Sequence, residues 1–258
     1  MTIRFTFTKI MENDFLISLI RNMLSIIIPT KNEERYLPKL LDSIKLQCLS
    51  DLEIIVSDAH SIDKTRDIAL GYGCRIVDGG EPSFGRNNGA KYSKGEMLIF
   101  IDADSIFPPY FLKKGLQEFY DRNLDVAGTL QAPIPTGRKI KDIQYKFFIE
   151  LANKFMKLTQ YTKRPFMQSC MFAKKEIHEK LGGFDEELVF GEDSDYAKRA
   201  KTTAKGKFGI LETPGKVWFN MRRFENEGIK VTLKNVYFIT SKFLGYEFRK
   251  DSRIKYFN

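Results

Sequence analysis

The sequence predicts an α/β fold in which a mostly parallel sheet is flanked by helices. Four short apolar runs in the first half of the chain have the composition of buried strands. Stretches with apolar residues at helical spacing lie between these runs, and the connections are short. Strands that alternate with helices in this way form βαβ units and a parallel sheet. The 258 residues suffice for one such domain with an appendage.

The first half gives the elements in order. The predicted strands are residues 24–29, 53–56, 74–77 and 97–101, and the predicted helices are residues 33–47, 64–70 and 86–93. The first strand is apolar and is closed by a proline. The helix that follows carries apolar residues at helical spacing after an acidic first turn. These apolar positions are Leu37, Leu40, Leu41 and Ile44.

The second half is less regular. Residues 126–131 and 167–173 are predicted as strands, and residues 174–181 and 192–200 as helices. Residues 140–158 form a clear amphipathic helix with lysines between its apolar positions. Its apolar stripe consists of Ile140, Ile143, Phe147, Leu151, Phe155 and Leu158. From about residue 229 onwards, aromatic and basic residues alternate at roughly helical spacing.

The cysteine and histidine content excludes several classes of protein. Cys48, Cys74 and Cys170 are widely spaced, which argues against a disulfide framework or a zinc site and favours a reducing compartment. The only histidines, His60 and His178, exclude a histidine-rich metal site.

The N-terminal part shows no targeting segment. No run approaches the roughly 18 apolar residues of a membrane span. Residues 15–20 are too short for a signal peptide, and an acidic residue precedes them. We therefore expect a cytoplasmic protein. Residues 1–22 are either a short accessory segment or precede a true start at Met23, and the sequence leaves both open.

The net charge of +9 is concentrated in two segments. Residues 138–164 contain eight Lys/Arg and two Asp/Glu, which gives +6. Residues 222–258 contain nine Lys/Arg and four Asp/Glu, which gives +5. The remainder is slightly acidic, so the pattern indicates a localised anionic partner.

Two carboxylates follow the fourth predicted strand. Asp102 and Asp104 are separated only by Ala103 and come directly after an apolar run. Ligands of open α/β sheets bind outside the carboxyl ends of the strands. Two aspartates at such an end suit a hard divalent cation, which in turn can hold phosphates.

Four further segments accompany the aspartate pair. They are residues 29–33 (Pro-Thr-Lys-Asn-Glu), 58–65 (Asp-Ala-His-Ser-Ile-Asp-Lys-Thr), 85–90 (Gly-Arg-Asn-Asn-Gly-Ala) and 182–195, which begins Gly-Gly-Phe-Asp-Glu and ends Gly-Glu-Asp-Ser-Asp. In this order and spacing, the five segments closely resemble the family 2 glycosyltransferases of the GT-A fold. The resemblance implies a GT-A domain over residues 23–225, preceded by an N-terminal accessory segment (1–22) and followed by a basic, aromatic helical tail (226–258).

The resemblance implies a set of residues that contact a nucleotide-sugar donor. They are Pro29, Thr30, Asn32, Glu33, Asp58, Arg86, Asp102, Ala103, Arg222 and Arg223. A carboxylate such as that of Asp58 can accept a ring N–H of a base, although a helix cap is an alternative, and we assign capping to Asp63. For Arg86 the alternative is a surface ion pair. His60 departs from the family pattern, and a solvent-facing turn position is favoured over a nucleotide contact.

The resemblance also implies a divalent cation. Asp104 would bind Mg²⁺ or Mn²⁺ bridging the donor diphosphate, and Asp102 would contact the ribose or the metal. The cation would neutralise charge on the departing nucleoside diphosphate. Because no histidine follows His178, the metal would depend on Asp104, phosphates and water.

By the same resemblance, Asp193 is the catalytic base that deprotonates the acceptor hydroxyl in an inverting transfer. Capping of a helix N-terminus is the alternative for Glu192 and Asp193, and both roles are compatible. Arg222 and Arg223 would lie in a loop over the diphosphate. The Gln-x-x-Arg-Trp element of processive members is absent, which favours one sugar per encounter. Trp218 would stack on a sugar or pack in the core.

The basic amphipathic segments have two interpretations. Helix 140–158 and the tail would lie on a membrane surface and draw in a polyprenyl-phosphate or glycolipid acceptor. Alternatively, their apolar stripes pack on the core and the lysines are solvated. We weigh these equally for the helix and favour membrane contact for the tail, whose aromatic residues are Phe238, Phe243, Tyr246, Phe248 and Tyr256.

The function predicted from the sequence is therefore a metal-dependent, inverting hexosyltransferase-type glycosyltransferase. It would move one sugar from a nucleotide-diphosphate sugar, UDP favoured and GDP next, to a hydroxyl or phosphate of a lipid-linked or glycan acceptor. A nucleic-acid-binding protein is disfavoured because the basic charge avoids the motif segments. A sugar nucleotidyltransferase is disfavoured because residues 29–33 are not a Gly-rich, Arg-containing loop. The sequence makes no prediction of oligomeric state.

Overall fold

The computed structural model describes residues 24–49, 51–168, 170–227, 237, 240–241 and 245–250. The strands are β1 Leu24–Thr30, β2 Leu52–Asp58, β3 Arg75–Asp78, β4 Met97–Phe100, β5 Ser105–Ile106, β6 Val126–Pro133, β7 Met171–Lys174 and β8 Phe208–Phe219. The helices are α1 Leu37–Lys45, α2 Thr65–Gly71, α3 Pro82–Lys91, α4 Phe111–Asp121, α5 Lys139–Thr159, α6 Lys175–Leu181, α7 Glu192–Thr202 and α8 Arg222–Glu227. The predicted accessory segment (1–22) and most of the predicted tail lie outside the described residues.

The strands form one eight-stranded sheet in the order β3-β2-β1-β4-β7-β6-β8-β5. The first four strands are mutually parallel, which confirms the predicted βαβ units. β7 is antiparallel to both β4 and β6, while β6 and β8 are parallel. The predicted mainly parallel α/β sheet is therefore confirmed, with antiparallel pairing confined to its second half.

Strand β1 shows how the sheet divides the core. Ile26 and Ile28 belong to one buried cluster, whereas Ile27 belongs to another on the opposite face. Successive side chains of a strand point to opposite faces, so a continuous apolar run suits a strand that is covered on both sides. The apolar face of α1 is buried in the first cluster, as its spacing predicts.

The register brings the polar strand ends together. Thr30 at the end of β1 pairs with Asp58 at the end of β2. Ile27 in β1 pairs with Phe100 at the end of β4, so Asp102 and Asp104 follow at the same edge. The carboxyl ends of three neighbouring parallel strands thus form the floor of a common cleft.

Several boundaries differ from the sequence-based prediction. Helix α3 begins at Pro82 rather than near residue 86, because a proline in the first turn suits a helix start. Strand β7 covers only the last three residues of the predicted strand 167–173 and extends to Lys174. Helix α4 and strands β5 and β8 were not predicted, and β8 is interrupted by a register shift opposite Thr129 and Leu130.

Helix α5 is present where the periodicity predicts it, but its apolar stripe does not pack on the core. The other face is buried instead, through residues that include Ile149 and Met156. The stripe residues Ile140, Ile143, Phe147, Leu151 and Leu158 are all exposed. The core-packing alternative is therefore wrong for these five residues. None of the described helices has the length and the apolar content needed to cross a membrane.

The described end of the C-terminal segment packs back onto the domain. The backbone N–H of Val189 donates to the carbonyl of Phe248 at 2.9 Å, and Leu188 forms an antiparallel bridge with Arg249. Phe248 is buried. Its predicted place on a membrane-facing tail is therefore wrong. Phe238, Phe243 and Tyr256 lie outside the described residues.

Candidate functional site

A large cavity of about 1060 Å³ opens at the carboxyl ends of β1, β2 and β4. Most of the predicted site residues line it, namely Pro29, Thr30, Glu33, Arg86, Asp102, Ala103, Asp104, Asp193 and Arg222. Asn32 and Asp58 are not among the lining residues. Nothing is described of the Arg223 side chain. The structure thus brings nine of the predicted residues to one cavity.

Arg86 joins two sides of the cavity. Its guanidinium donates to Asp102 Oδ1 at 2.9 Å and to Glu192 Oε1 at 2.8 Å, and it lies 3.5 Å from Asp193 Oδ1. Burial disfavours the cation, but Asp193, Asp102 and Glu192 outweigh it and raise the pKa of Arg86, so the side chain stays charged. Arg86 lies within α3 rather than in a turn. Its side chain is buried, whereas its partners Asp102 and Glu192 are partly exposed to the cavity, so these are not surface ion pairs.

Arg222 contacts Asp104, the second aspartate of the pair. It forms a two-point contact with the carboxylate of Glu33, and its Nε lies 3.3 Å from Asp104 Oδ2. The guanidinium also lies 4.8 Å from the ring centroid of Tyr36. Burial opposes its charge, yet Glu33 and Asp104 raise the pKa of Arg222. Arg222 begins helix α8, so the predicted loop is the start of a helix.

Asp58 is completely buried behind the cavity. Its carboxylate accepts hydrogen bonds from Thr30 Oγ1, from the N–H and hydroxyl of Ser61, and from Arg66 Nη1. Burial alone would raise the pKa of Asp58, but these donors hold it below its ordinary value. This geometry ties β1 to the loop after β2. The predicted contact of Asp58 with a base stays a prediction.

The loops after β1 and β2 are fixed to each other. Asn32 donates its backbone N–H to Ser61 Oγ at 2.8 Å and accepts from the N–H of Ile62 at 2.9 Å. Asp63 accepts from the N–H of Thr65 at the start of α2, but Lys64 is the N-cap residue and no side chain forms a capping hydrogen bond there, so the capping assignment is not confirmed. His60 is exposed and lines the cavity, so both of its alternatives remain open.

The acidic pair at the start of α7 does not cap that helix. Gly191 is the N-cap residue, and no side chain forms a capping hydrogen bond there. Glu192 instead holds Arg86, and Asp193 faces the cavity. Ser194 fixes this turn by exchanging hydrogen bonds with the backbone of Met167. Neither side chain forms a capping hydrogen bond, although both lie in the first turn of α7, where acidic residues are favoured. Asp193 is placed where it can face a bound substrate.

Asn87 is a residue whose role sequence reasoning missed. Its side chain accepts from the N–H of Phe184 at 2.7 Å and donates to the carbonyl of Phe184 and to Glu186 Oε1. It thereby joins the segments 85–90 and 182–195. At Gly183, where φ is +78°, a Cβ atom would lie 2.4 Å from Asn87 Oδ1. The sequence shows Asn87 and the Gly182-Gly183 pair in two separate segments, but it does not show that they are in contact.

One wall of the cavity is aromatic and was also missed. It consists of Phe148, Phe155, Phe166, Phe190, Phe219, Phe224 and Tyr246. The rings interlock, with Phe155 and Phe166 centred 5.4 Å apart and Phe148 and Phe224 centred 5.5 Å apart. Trp218 is not part of this wall and is half exposed, so its core-packing alternative is wrong. The cavity is therefore polar at the strand ends and apolar towards α5 and α8.

The donor set at the strand ends fits a magnesium-like cation. Within the described residues, no group of three or more His, Cys, Asp or Glu side chains forms a ready-made metal cage. Asp102 and Asp104 offer carboxylates into the cavity, each facing an arginine. Mg²⁺ is usually held by one or two carboxylates together with substrate phosphates and water. These residues match that pattern.

Comparison with known proteins decides the family. The sequence model of the family described as "Glycosyl transferase family 2" matches residues 25–182. The chain belongs to glycosyl transferase family 2. A relative, glycosyltransferase AglE of Haloferax volcanii, is 28% identical over 188 residues, which cover 68% of this chain and 60% of AglE. The chain thus spans less than two thirds of that relative.

Solved structures of two proteins share the fold. The UDP complex of S. aureus TarS 1–349 has a TM-score of 0.59 and 21% sequence identity, and covers 77% of this chain and 60% of that one. The mannosyltransferase PcManGT from Pyrobaculum calidifontis, in complex with GDP-Man and Mn²⁺, has a TM-score of 0.58 and 20% identity. It covers 76% of this chain and 56% of that one. The GT-A fold predicted from the motifs is therefore confirmed.

Proposed function

We propose that this chain is an inverting glycosyltransferase that moves one sugar from a nucleotide-diphosphate sugar to a hydroxyl or phosphate of its acceptor. The observation that carries the proposal is the convergence of Asp102, Asp104, Arg86 and Asp193 on one cavity in a family 2 chain. The first two occupy the donor side at the strand ends. Arg86 connects that side to Asp193, where an acceptor would enter.

The donor is a uridine nucleotide-sugar in the first instance and a guanosine one in the second. TarS has been solved with UDP, and PcManGT with GDP-Man. Pro29, Thr30 and Glu33 would border the nucleotide, with Asn32 and Asp58 supporting or contacting the base. Arg222 lies beside Asp104 and, with Arg223, would contact the diphosphate, which suits a guanidinium well.

Asp104, assisted by Asp102, would hold a divalent cation, Mg²⁺ or Mn²⁺. PcManGT was solved with Mn²⁺. When bound, such an ion supplies charge neutralisation for the departing diphosphate. Within the described residues, Arg86 and Arg222 are the cations paired with the two aspartates, so both arginines would share that neutralisation with the metal.

Asp193 is the proposed base. Its carboxylate would take the proton of the acceptor hydroxyl while that oxygen attacks the anomeric carbon from the face opposite the diphosphate. The new carbon–oxygen bond forms as the bond from the anomeric carbon to the phosphate oxygen breaks, so the configuration inverts. Arg86 would keep Asp193 oriented, because its guanidinium lies 3.5 Å from Asp193 Oδ1.

The aromatic wall supports an acceptor with an apolar part. Phe148, Phe155 and Phe224 line the side of the cavity away from the strand ends. Apolar pockets of this kind favour lipid or aromatic groups, whereas a pure glycan needs more hydrogen-bonding partners. We therefore favour a lipid-linked acceptor such as a polyprenyl phosphate over a free glycan, and a position at the cytoplasmic membrane surface.

A transfer assay tests the proposal. UDP-, GDP- and dTDP-sugars are supplied with Mn²⁺ and a panel of lipid-phosphate and glycan acceptors, and product is detected by mass spectrometry. We expect one donor to give product carrying a single added sugar. The Asp193→Asn variant should lose transfer and keep nucleotide binding, whereas Asp104→Asn should lose both. Absence of turnover with all donors, or full transfer by Asp193→Asn, would contradict the proposal.

A further inference from the structure

Helix α5 presents a continuous apolar face to the outside of the molecule. Its apolar stripe without the half-buried Phe155, from here on called the stripe, consists of five large side chains that are between 58% and 75% exposed: Ile140, Ile143, Phe147, Leu151 and Leu158. At about 100° per residue they fall within roughly a quarter of the helix circumference. An exposed apolar face of this size marks an interaction surface rather than ordinary surface exposure.

The charges around the stripe are positive. Lys154 lies within its arc, and Lys139 and Lys146 flank it, all three exposed. Of the two acidic residues of the helix, Asp142 lies away from the stripe and accepts hydrogen bonds from Thr136. Glu150 lies beside the stripe, but it forms an ion pair with Lys216. The exposed face therefore combines large apolar side chains with three lysines, and the carboxylate at its edge is neutralised by Lys216.

The opposite side of the same helix belongs to the cavity. Phe148, Ile149, Ala152 and Phe155 line it. The helix is therefore a wall with an apolar inner face on the substrate cavity and an apolar, basic outer face. A surface that bound the outer face would lie within one helix diameter, about 10 Å, of the aromatic side of the cavity.

We propose that the stripe and its lysines bind the surface of an anionic lipid bilayer. The face matches an interfacial amphipathic helix, in which the apolar side chains enter the headgroup boundary and the lysines meet anionic lipids. The lysines argue against a second copy of this chain, because paired faces would bring like charges together. Only the purpose of this membrane binding, the delivery of a lipid-linked acceptor beside the aromatic wall, rests on the proposed function.

Vesicle sedimentation tests the inference. The full chain is mixed with sucrose-loaded vesicles of phosphatidylcholine alone or with about a quarter phosphatidylglycerol. We expect binding to the anionic vesicles that high salt weakens. The Phe147→Ser/Leu151→Ser double variant should bind at least roughly tenfold more weakly, and so should Lys146→Glu/Lys154→Glu. The matched control is Leu46→Ser/Leu70→Ser, which alters two exposed leucines at the ends of α1 and α2 and should bind like wild type.

Three results would overturn the inference. The first is equal binding of both vesicle types, or none. The second is a wild-type dimer that Phe147→Ser/Leu151→Ser dissociates in light scattering, which would identify a second copy as the occupant. The third is a fall in thermal stability of this variant when wild type binds no vesicles. This result would identify another part of the chain as the occupant of the stripe. Nucleotide binding is followed on the same samples by thermal shift. Its absence would count against the proposed function without bearing on the membrane binding.

Discussion

Arg222 Nε lies 3.3 Å from Asp104 Oδ2, so the carboxylate proposed to hold the cation already faces a fixed positive charge. The same arginine is clamped by Glu33. A cation that reaches Asp104 must therefore tolerate or displace a guanidinium. This relationship gives Arg222 two opposing effects, because it repels a free metal ion and attracts a diphosphate.

We expect Arg222→Met to bind Mn²⁺ alone more tightly and to use the donor less well. Removing about 1 kcal/mol of charge repulsion raises metal affinity roughly fivefold. Loss of the diphosphate contact should lower kcat/KM for the donor. Calorimetry of Mn²⁺ without nucleotide measures the first effect. Arg35→Met removes a neighbouring exposed arginine and is the control. If its affinity for Mn²⁺ rises as much as that of Arg222→Met, the rise comes from net charge alone.

Arg86 is a buried cation on which three carboxylates converge. We expect Arg86→Met to lower the free energy of unfolding by about 3 kcal/mol, because Asp102, Glu192 and Asp193 lose their common partner. Urea denaturation measures this change. Arg75→Met, at an exposed site, should cost less than about 1 kcal/mol. Equal stability of Arg86→Met and wild type would show that the carboxylates do not depend on Arg86.

Gly182 and Gly183 form a matched pair of sites. Both have positive φ, at +69° and +78°, but a Cβ at Gly182 meets open space whereas one at Gly183 meets Asn87. Gly182→Ala should cost about 1 kcal/mol of unfolding free energy from the backbone alone. Gly183→Ala should cost roughly 1 kcal/mol more, because Asn87 must leave its hydrogen bonds.

The extra cost at Gly183 should disappear when Asn87 is removed. In a double-mutant cycle with Asn87→Ala, the two changes should be less than additive by about 1 kcal/mol. Equal costs at Gly182 and Gly183, or strict additivity with Asn87→Ala, would show that this contact does not hold the two segments together.

His178 makes stability depend on pH. Burial beside Phe100 and Tyr196, together with nearby Arg199 and Lys175, lowers its pKa from 6.5 to about 4 in the folded chain. Between these values the unfolded chain binds a proton that the folded chain does not. The contribution of neutral His178 is therefore complete above pH 6.5 and is lost as the pH falls towards 4.

Urea denaturation at pH 7 and pH 4.5 measures this effect. Wild type should lose about 2 kcal/mol more than His178→Gln over this interval. His60→Gln removes the other histidine and should keep the wild-type slope. A slope in His178→Gln as steep as in wild type would assign the acid sensitivity to other groups.

The sequence predicted the donor half of the site better than the acceptor half. The strands and the polar residues at their carboxyl ends are local in sequence, so Thr30, Asp58 and Asp104 could be placed at one edge from the apolar runs alone. The pairing of Arg86 with Glu192 joins residues 106 positions apart. Such contacts depend on how α3 and α7 pack against each other, and the spacing of apolar residues within each helix does not predict this packing.

The amphipathic helix shows the same limit. Its spacing predicts that Ile140, Phe147 and Leu151 share one face, and they do. Periodicity cannot say whether such a face meets the core or the outside, because the helix has a second apolar side through Ile149 and Met156 that competes for burial. The side with Ile149 and Met156 is buried together with the polar Asn153 and Thr159, and the stripe is left exposed.

In the proposed function, Asp104 would hold a divalent cation together with a nucleoside diphosphate. Thermal-shift titration of wild type and Asp104→Asn with UDP and GDP, with and without Mn²⁺, tests it most directly. Wild type, and the control Asp78→Asn at an exposed strand end, should show a metal-dependent rise of roughly 5 °C with one of the two nucleotides near saturation. Asp104→Asn should show no metal-dependent rise. A rise in Asp104→Asn equal to that of wild type would contradict the account.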